Sequence, residues 1–598
     1  MTTKIVNKKD ADTTMAFRKL LGGVVCAQIG GAGYGYYWAT TNLGEDAVER
    51  IMRYDKVVMP MILQYKWLEA KCEKLPKILP SIFPPVSFEE EQRQFEVLHK
   101  KFAPAAVDIH MELGGFYYKS GQKIASNMGG ISPKPWIDAF QPFLNDIPAR
   151  DPKEVRTVLE EGLGKKREEV FSSWEEEPLG CASIGQVHRA TLRSSGEKVV
   201  VKVQNPNAEQ TFRGDVFALR TLIDMFMPQL SVAFDEIQKQ FATEFDYRGE
   251  CQNAIDIRNN LKHAFPDVIV PKVYSDLCSQ RVMVMEEVEK SEPLHDVLKK
   301  QLEKLAKQRG VSTEEFMTLE KKRMHEEAKQ LKGQMAPSIS AESYDAYIKL
   351  QQGRYAASYA YRTAYNWTLG WVLPNYDMKA LDDEIIVPLN ACRLIDLLFR
   401  THGHEVLVDG CFNADPHPGN ILCTEGGQIA LIDYGQVKRI SMEQRVDFAK
   451  SILLVEAALK LDPRVNENVD EDAHRAARQS VVAHAVKSGM RTEKMLDDTF
   501  YEMCVVYFGR MDQPFLYPDN ALQWTDKIQE QDPIGNIDDV DYLVMVNTNS
   551  MMLRGLGEML GQPRNLAKAW APLARQLLRE QGKLVETDEE IANWTKKV

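Results

Sequence analysis

The rhythm of apolar and polar positions changes several times along this chain, and each change marks a predicted element. Residues 45 to 175 read mostly as helix, with apolar positions spaced for one face around Ile109, Leu113, Phe116 and Tyr117. Pro60, Pro76, Pro80, Pro84 and Pro85 are the expected breakers. From 178 to 203 the pattern shortens to strands: residues 184–190, a turn at Ser195-Gly196, then Val199-Val200-Val201-Lys202-Val203. Residues 208 to 262 predict long helix. Strand returns from 268 to 288, ending in Val282-Met283-Val284-Met285-Glu286-Glu287-Val288. The stretch from 297 to 335, dense in Lys, Glu and Gln, predicts a solvated helical insertion. Between 344 and 373 come Tyr347, Tyr355, Tyr359, Tyr361, Tyr365, Trp367 and Trp371. Large aromatics bury well, so core is the expectation there, and a docking surface for a partner or a membrane is the alternative. From 441 onward the pattern is helical again, closing with 551–580, and no internal repeat is visible.

With 598 residues the chain has room for several domains. Its net charge of −12 argues against nucleic acid as a partner, because a phosphate-binding surface needs a basic excess. Nine cysteines without a C-x-x-C pair form neither a disulfide ladder nor a zinc cluster. The N-terminus changes the picture more. Residues 20–44 carry no charge, and Leu20–Trp38 would cover about 28 Å as a helix, enough for a hydrocarbon core. Ala27, Gly31 and Gly35 make a small-residue stripe, and Tyr34, Tyr36, Tyr37 and Trp38 cluster at one end like an aromatic belt. Lys8, Lys9, Arg18 and Lys19 precede the segment, while Glu45, Asp46 and Glu49 follow it. A single membrane span with its N-terminus on the positive side is the expectation. A Gly-rich buried or interfacial helix is the alternative.

The chemistry-bearing residues come next. Asn420 lies five residues after Asp415, in Asp415-Pro416-His417-Pro418-Gly419-Asn420, and Asp433-Tyr434-Gly435 follows. Phosphoryl transfer from a nucleotide needs an Asp to orient the attacking hydroxyl, an Asn five residues on for Mg²⁺, and a second metal-holding Asp on the next strand. Between them, Ile421-Leu422-Cys423 and Ile429-Ala430-Leu431-Ile432 flank Glu425-Gly426-Gly427, which is hairpin chemistry. The bland alternative is a pair of surface acids and an Asn in loops. Lys202 ends an apolar strand, where it would grip the nucleotide's phosphates. Ahead of it, Gly180-Cys181-Ala182-Ser183-Ile184-Gly185-Gln186-Val187 is small enough for backbone N–H groups to approach them. The acidic partner of Lys202 is expected in Glu244-Phe245-Asp246-Tyr247-Arg248-Gly249-Glu250. If this is one helix, Asp246 and Glu250 share a face and Glu244 points elsewhere. Glu250 would then serve Lys202, and Glu244 a second cation such as Lys119, an i, i+3 neighbour of Gln122. Glu286 and Val288 would pair with adenine through their backbone. His417 is expected to pack, because Mg²⁺ prefers oxygen ligands, and His402 and His404 are expected to be structural.

Together these pieces resemble the UbiB family of aarF-domain-containing, atypical protein-kinase-like proteins. The resemblance rests on Lys119-Ser120-Gly121-Gln122 (K-x-G-Q), the 181–188 loop, Lys202, Glu244-Phe245-Asp246 (E-x-D), the 415–420 loop and Asp433, and it spans roughly residues 100 to 440. It implies an α+β, two-lobed protein-kinase-like fold with N- and C-terminal helical extensions beside the expected single N-terminal transmembrane helix. The expected organisation is a tail and span in 1–44, a helical extension carrying K-x-G-Q in 45–175, and an atypical kinase-like domain in 176–440. That domain divides into an N-lobe near 176–290, the insertion near 297–373 and a C-lobe core near 374–440, with helices in 441–598. The resemblance further implies binding of ATP or ADP with Mg²⁺ and gating by Lys119, Gln122, Glu244 and Asp246 that hinders peptide substrates. It also implies a membrane setting among the components of a membrane-lipid or isoprenoid quinone (ubiquinone) pathway. The mitochondrial inner membrane fits, with the kinase-like part in the intermembrane space, and a plastid is the alternative. Cys181 stands where alanine is usual, Tyr434 where phenylalanine is, and Asn413-Ala414 where His-Arg is in protein kinases.

Overall fold

The computed structural model describes residues 45–125, 133–144, 149–181, 184–226, 245–331, 340–368, 389–424, 427–464, 469–512, 524, 527–528, 531–533 and 541–583. The expected membrane span lies outside them. Among the described residues no helix is long and apolar enough to cross a membrane. The chain divides into two units, one of residues 1–247 with 276–284, the other of 248–275 with 285–598.

The first unit opens on helix α1 (Glu45–Glu69), followed by α2 (Phe88–Leu113), α3 (Gly115–Ala125), α4 (Lys134–Phe140) and α5 (Pro152–Leu163). Pro60 does not break α1 as expected. Tyr54, Met61 and Leu68, seven residues apart, give that helix one buried stripe, and the packing outweighs the hydrogen bond that proline omits. Ser87 caps α2 by accepting the Glu90 N–H at 3.3 Å, and Asp151 caps α5 by accepting that of Lys153 at 2.8 Å. Met61, Phe102, Tyr118, Phe140 and Phe143 form one core of these helices.

Strand begins at β1 (Phe171–Trp174), then β2 (Gly180–Cys181), β3 (Gly185–Leu192) and β4 (Lys198–Gln204), with α6 (Ala208–Phe226) after them. β3 and β4 are antiparallel, in register from Gly185 opposite Gln204 to Thr191 opposite Lys198. Helix α7 (Tyr247–Ala264) and strand β5 (Val268–Ile269) run on into the second unit. β6 (Val282–Glu286) returns to complete the sheet in the order β1-β3-β4-β6, with β2 on β3.

His110 is buried in the first unit against Tyr54, Tyr117 and Phe140, and its Nδ1–H donates to the Ala106 carbonyl at 2.7 Å. Burial pushes its pKa from 6.5 down to about 4. The unfolded chain therefore binds the extra proton first. The stability this neutral imidazole contributes is present above pH 6.5 and is lost as pH falls through that value toward 4. Between pH 7 and 5 the loss is about 2 kcal/mol. Thermal melts at the two pH values should differ more for the parent than for His110→Phe; equal differences would contradict the assignment.

The second unit adds β7 (Ser291–Pro293), α8 (Leu294–Gln308), α9 (Thr313–Gln330), α10 (Ala341–Trp367) and α11 (Ala391–His404). Next come β8 (Cys411–Asn413), β9 (Ile421–Thr424), β10 (Ile429–Leu431) and β11 (Val437–Arg439). The helices α12 (Met442–Lys460), α13 (Glu471–Lys487), α14 (Asp497–Phe508), α15 (Asp541–Met559) and α16 (Leu566–Glu580) follow. The expected hairpin is present as β9–β10, inside a sheet of order β5-β10-β9-β7, and β11 pairs with β8. Helix α12 is buried nearly all round, from Val446 through Leu459, and is the spine of this unit. A capping box of Ser441 and Gln444 fixes where it starts.

The charged insertion is helical, as α8 and α9. The aromatic run does not pack as core. Tyr347, Tyr359, Tyr361 and Trp367 of α10 are exposed, Trp367 by 81%. At 100° per residue these positions point in several directions around the helix, so no single face can bury them. Trp371 lies outside the described residues.

Candidate functional site

In the first unit, the K-x-G-Q residues lie on α3, with Lys119 and Gln122 at helical i, i+3 spacing and both half-buried. Two contacts set that helix in place. Asp215 of α6 is 1% exposed and accepts Arg50 of α1 through both oxygens at 2.9 and 2.8 Å, while its Oδ2 also takes the Phe116 N–H, at the start of α3, at 3.1 Å. A carboxylate at a helix N-terminus is favoured by the dipole as well as by the hydrogen bond. The second contact is steric. A Cβ on Gly121 would meet the ring of the fully buried Phe143 at 2.6–2.9 Å.

That overlap decides the effect of Gly121→Ala. Helix propensity favours alanine by about 1 kcal/mol, whereas overpacking a rigid core costs about 1–3 kcal/mol. The variant should melt below the parent; a higher melting temperature would contradict the packing account.

Lys119 lines a small cavity of about 30 Å³ with Arg150, Ile184, Asn205 and Phe245. The structure thus gathers K-x-G-Q, the residue after the 181–183 loop and the residue inside E-x-D. Cys181 is half-buried on β2 opposite Gln186, and burial pushes its thiol up. Ala182, Ser183 and Glu244 lie outside the described residues. Gly185 has no room for a side chain, because a Cβ would meet the Tyr247 hydroxyl at 2.6 Å and the Val203 carbonyl at 2.7 Å. Lys202 stands on β4 opposite Val187, and its Nζ lies 5.0 Å from the centre of the Tyr247 ring.

Asp246 and Glu250 do not share a helix face as expected, because α7 starts only at Tyr247. The Phe245 carbonyl accepts Gln204 Nε2–H at 2.9 Å, and the Tyr247 N–H donates to the Gln280 carbonyl at 3.0 Å. The sheet edge thus claims backbone groups that a helix would have used. At the expected adenine-pairing segment, the Glu286 N–H is committed to the Lys272 carbonyl at 2.8 Å, so it has no donor left for a base. Val288 is half-buried, and its carbonyl accepts the Ser291 hydroxyl at 2.6 Å.

The second unit holds Glu250, Asp415, Asn420 and Asp433, and one set of hydrogen bonds brings their backbones together. The Ile432 N–H, next to Asp433, donates to the Asn420 carbonyl at 3.2 Å. Asn413 Oδ1 accepts the Asp415 N–H at 2.9 Å, and its Nδ2 donates to the Asp433 carbonyl at 2.9 Å. One side chain therefore fixes both acidic segments. Asp433 Oδ1 accepts the Gly435 N–H at 3.0 Å, which turns the chain after it. Glu250 is buried in the first turn of α7. Three residues on, Asn253 donates to the Tyr434 carbonyl at 3.1 Å, and Arg439 holds Asn253 and Asp256 at 3.0 and 2.6 Å.

Beneath this loop lies a buried polar layer. His402 and Glu405 are both fully buried and 2.9 Å apart, Asn549 donates to the Asn413 carbonyl at 2.6 Å, and Tyr434 is 1% exposed. Burial, with Glu405 and Asp433 close by, pushes the Tyr434 phenol well above its ordinary value, so it stays neutral. His402 is structural, as expected. His417 is exposed rather than packed, and its Nδ1 accepts the Gly419 N–H at 3.1 Å to hold the turn before Asn420. The available signal for the hidden layer was the polar run Asn547-Thr548-Asn549-Ser550 inside an apolar helix.

Asn420 and Asp433 offer the hard oxygen donors that Mg²⁺ takes, on adjacent backbone. Among the described residues no cluster of three or more His, Cys, Asp or Glu is placed to hold a metal ion.

A family model described as the ABC1 atypical kinase-like domain matches residues 143–328 and 376–469. An Arabidopsis thaliana chloroplastic protein named activity of BC1 complex kinase 1 is 26% identical over 379 residues, 62% of this chain and 42% of that protein. The AarF domain-containing kinase 1 of Drosophila melanogaster is 29% identical over 46% of this chain and 52% of its own length. Its mouse namesake is 30% identical over 34% and 39%. The chain thus spans about half the length of these curated relatives, or less.

Proposed function

From the premise that this chain carries the ABC1 atypical kinase-like domain of the aarF (UbiB) family, we propose that it binds a Mg²⁺–adenine nucleotide and acts as an atypical kinase or ATPase. Asn413 carries the reading: a single side chain ties Asp415 to Asp433. Asn420 and Asp433 hold the metal, which when bound neutralises the charge that builds on the transferring phosphoryl group. Asp415 accepts the proton of the attacking hydroxyl or water. Lys202 neutralises phosphate charge from the β4 strand, and Glu250 orients it. With attack and metal groups on a pinned loop, positioning and electrostatics supply most of the rate.

The acceptor we propose is not an ordinary peptide. The protein acts in membrane-lipid or isoprenoid quinone homeostasis in mitochondria, at the inner membrane facing the intermembrane space, with a plastid as the alternative site. Its partners are components of that lipid pathway and the membrane itself, not nucleic acid. The exposed aromatics of α10 favour a second reading, a nucleotide-sensing pseudokinase scaffold docked at a membrane. Mg²⁺-dependent ATP turnover by the full chain, with and without cardiolipin-containing vesicles, separates the two. Turnover supports the enzyme. Saturable nucleotide binding without turnover in either condition supports the scaffold, and neither binding nor turnover would overturn both.

A further inference from the structure

Helices α12, α13, α14 and α15 of the second unit leave between them a cavity of about 210 Å³. No residue of the site described above lines it. Its wall is apolar, made by Leu454 and Val455 of α12, Val481 and Ala485 of α13, Phe508 of α14 and Leu543 of α15, all at most 8% exposed. An apolar void costs stability in proportion to its size, because the atoms around it lose their packing partners. A void of about 150 Å³ already takes a benzene ring, so this one holds a ring with a substituent.

Three features set the chemistry of an occupant. Among the described residues no Lys, Arg, Asp or Glu lines the cavity, so none there offsets the desolvation of a charged ligand. Burial lowers the pKa of His484 in the wall, so its imidazole is neutral at pH 7, and its Nε2–H donates to the Asp447 carbonyl at 3.1 Å. Ser488, near it, is spent on Asp447 Oδ2 at 2.6 Å. Against these satisfied groups, Asn547 Oδ1 is a buried acceptor with no partner among the described residues. A buried acceptor left unmet is costly, and a ligand hydroxyl meets it.

We propose that this cavity is a second, small-molecule site, separate from the nucleotide site. It takes an uncharged single-ring molecule that carries one hydrogen-bond donor for Asn547. Met490 and Met551, also in the wall, are flexible enough to follow the shape of the ring's substituent.

Ligand-observed ¹⁹F NMR on the full chain tests this with three probes: 4-fluorobenzyl alcohol, 4-fluorotoluene and 4-fluorobenzoate. The alcohol should bind saturably, the toluene about tenfold more weakly for want of the hydrogen bond, and the benzoate not at all. Ala485→Phe fills the cavity and should abolish alcohol binding; where it does not fold, Asn547→Leu should reduce the alcohol to the toluene's affinity. No saturable binding of the alcohol, equal binding of all three probes, or alcohol binding unchanged in a folded Ala485→Phe or Asn547→Leu protein would each overturn the proposal.

Discussion

Asp433→Asn is expected to lower Mg²⁺-dependent ATP turnover by about a hundredfold or more, the scale on which one lost electrostatic contact to a transferring group is felt. The variant keeps the size of the side chain and its neighbours. Asn413 holds residue 433 through the backbone carbonyl, which the substitution leaves in place. The Gly435 N–H still finds an oxygen on the amide, so the turn survives. What is lost is the negative charge that draws the metal. Nucleotide affinity measured by calorimetry in excess EDTA should therefore match the parent, while the affinity gained on adding Mg²⁺ should disappear. Parent-like turnover in the variant would remove Asp433 from the metal site.

The second large effect concerns stability. Asp215→Ala should cost about 3 kcal/mol or more, because it strands a largely buried guanidinium and leaves the Phe116 N–H unmet. In a unit of this size that lowers the melting temperature by about 6–12 °C. The neighbouring ion pair Arg53–Glu112 is exposed on both sides, and its removal should change little. Hydrogen exchange adds a local readout: amides of α3 should lose protection in Asp215→Ala, since the start of that helix is released. An unchanged melting temperature with unchanged exchange in α3 would show that Asp215 does not hold the K-x-G-Q helix.

What could be read from the sequence follows from how local each signal is. The hairpin after Asn420 was legible, because glycines between two apolar runs determine it within a dozen residues. The i, i+3 pair Lys119–Gln122 was legible for the same reason. The E-x-D segment was not. Its helix begins later than periodicity suggests, because Gln204 and Gln280, 41 and 33 positions away from the groups they bind, claim its backbone. The α10 aromatics misled in the opposite way. Their type favours burial, but their angular scatter around the helix denies them a common face. Asn413 stood in view as a departure from His-Arg. Its role lies in side-chain hydrogen bonds to the Asp415 N–H and to the Asp433 carbonyl, the second 20 positions away. Asn253 gave no local signal, since it acts on a backbone carbonyl more than a hundred residues away.

The most direct measurement is a structure of the full chain with a non-hydrolysable ATP analogue and Mn²⁺ in place of Mg²⁺, the metal located by its anomalous scattering. The account predicts one metal peak bound by the Asn420 and Asp433 oxygens at about 2.0–2.3 Å, with Lys202 Nζ on the nucleotide's phosphates. A nucleotide bound without the metal touching Asp433, or with its phosphates away from Lys202, would contradict it.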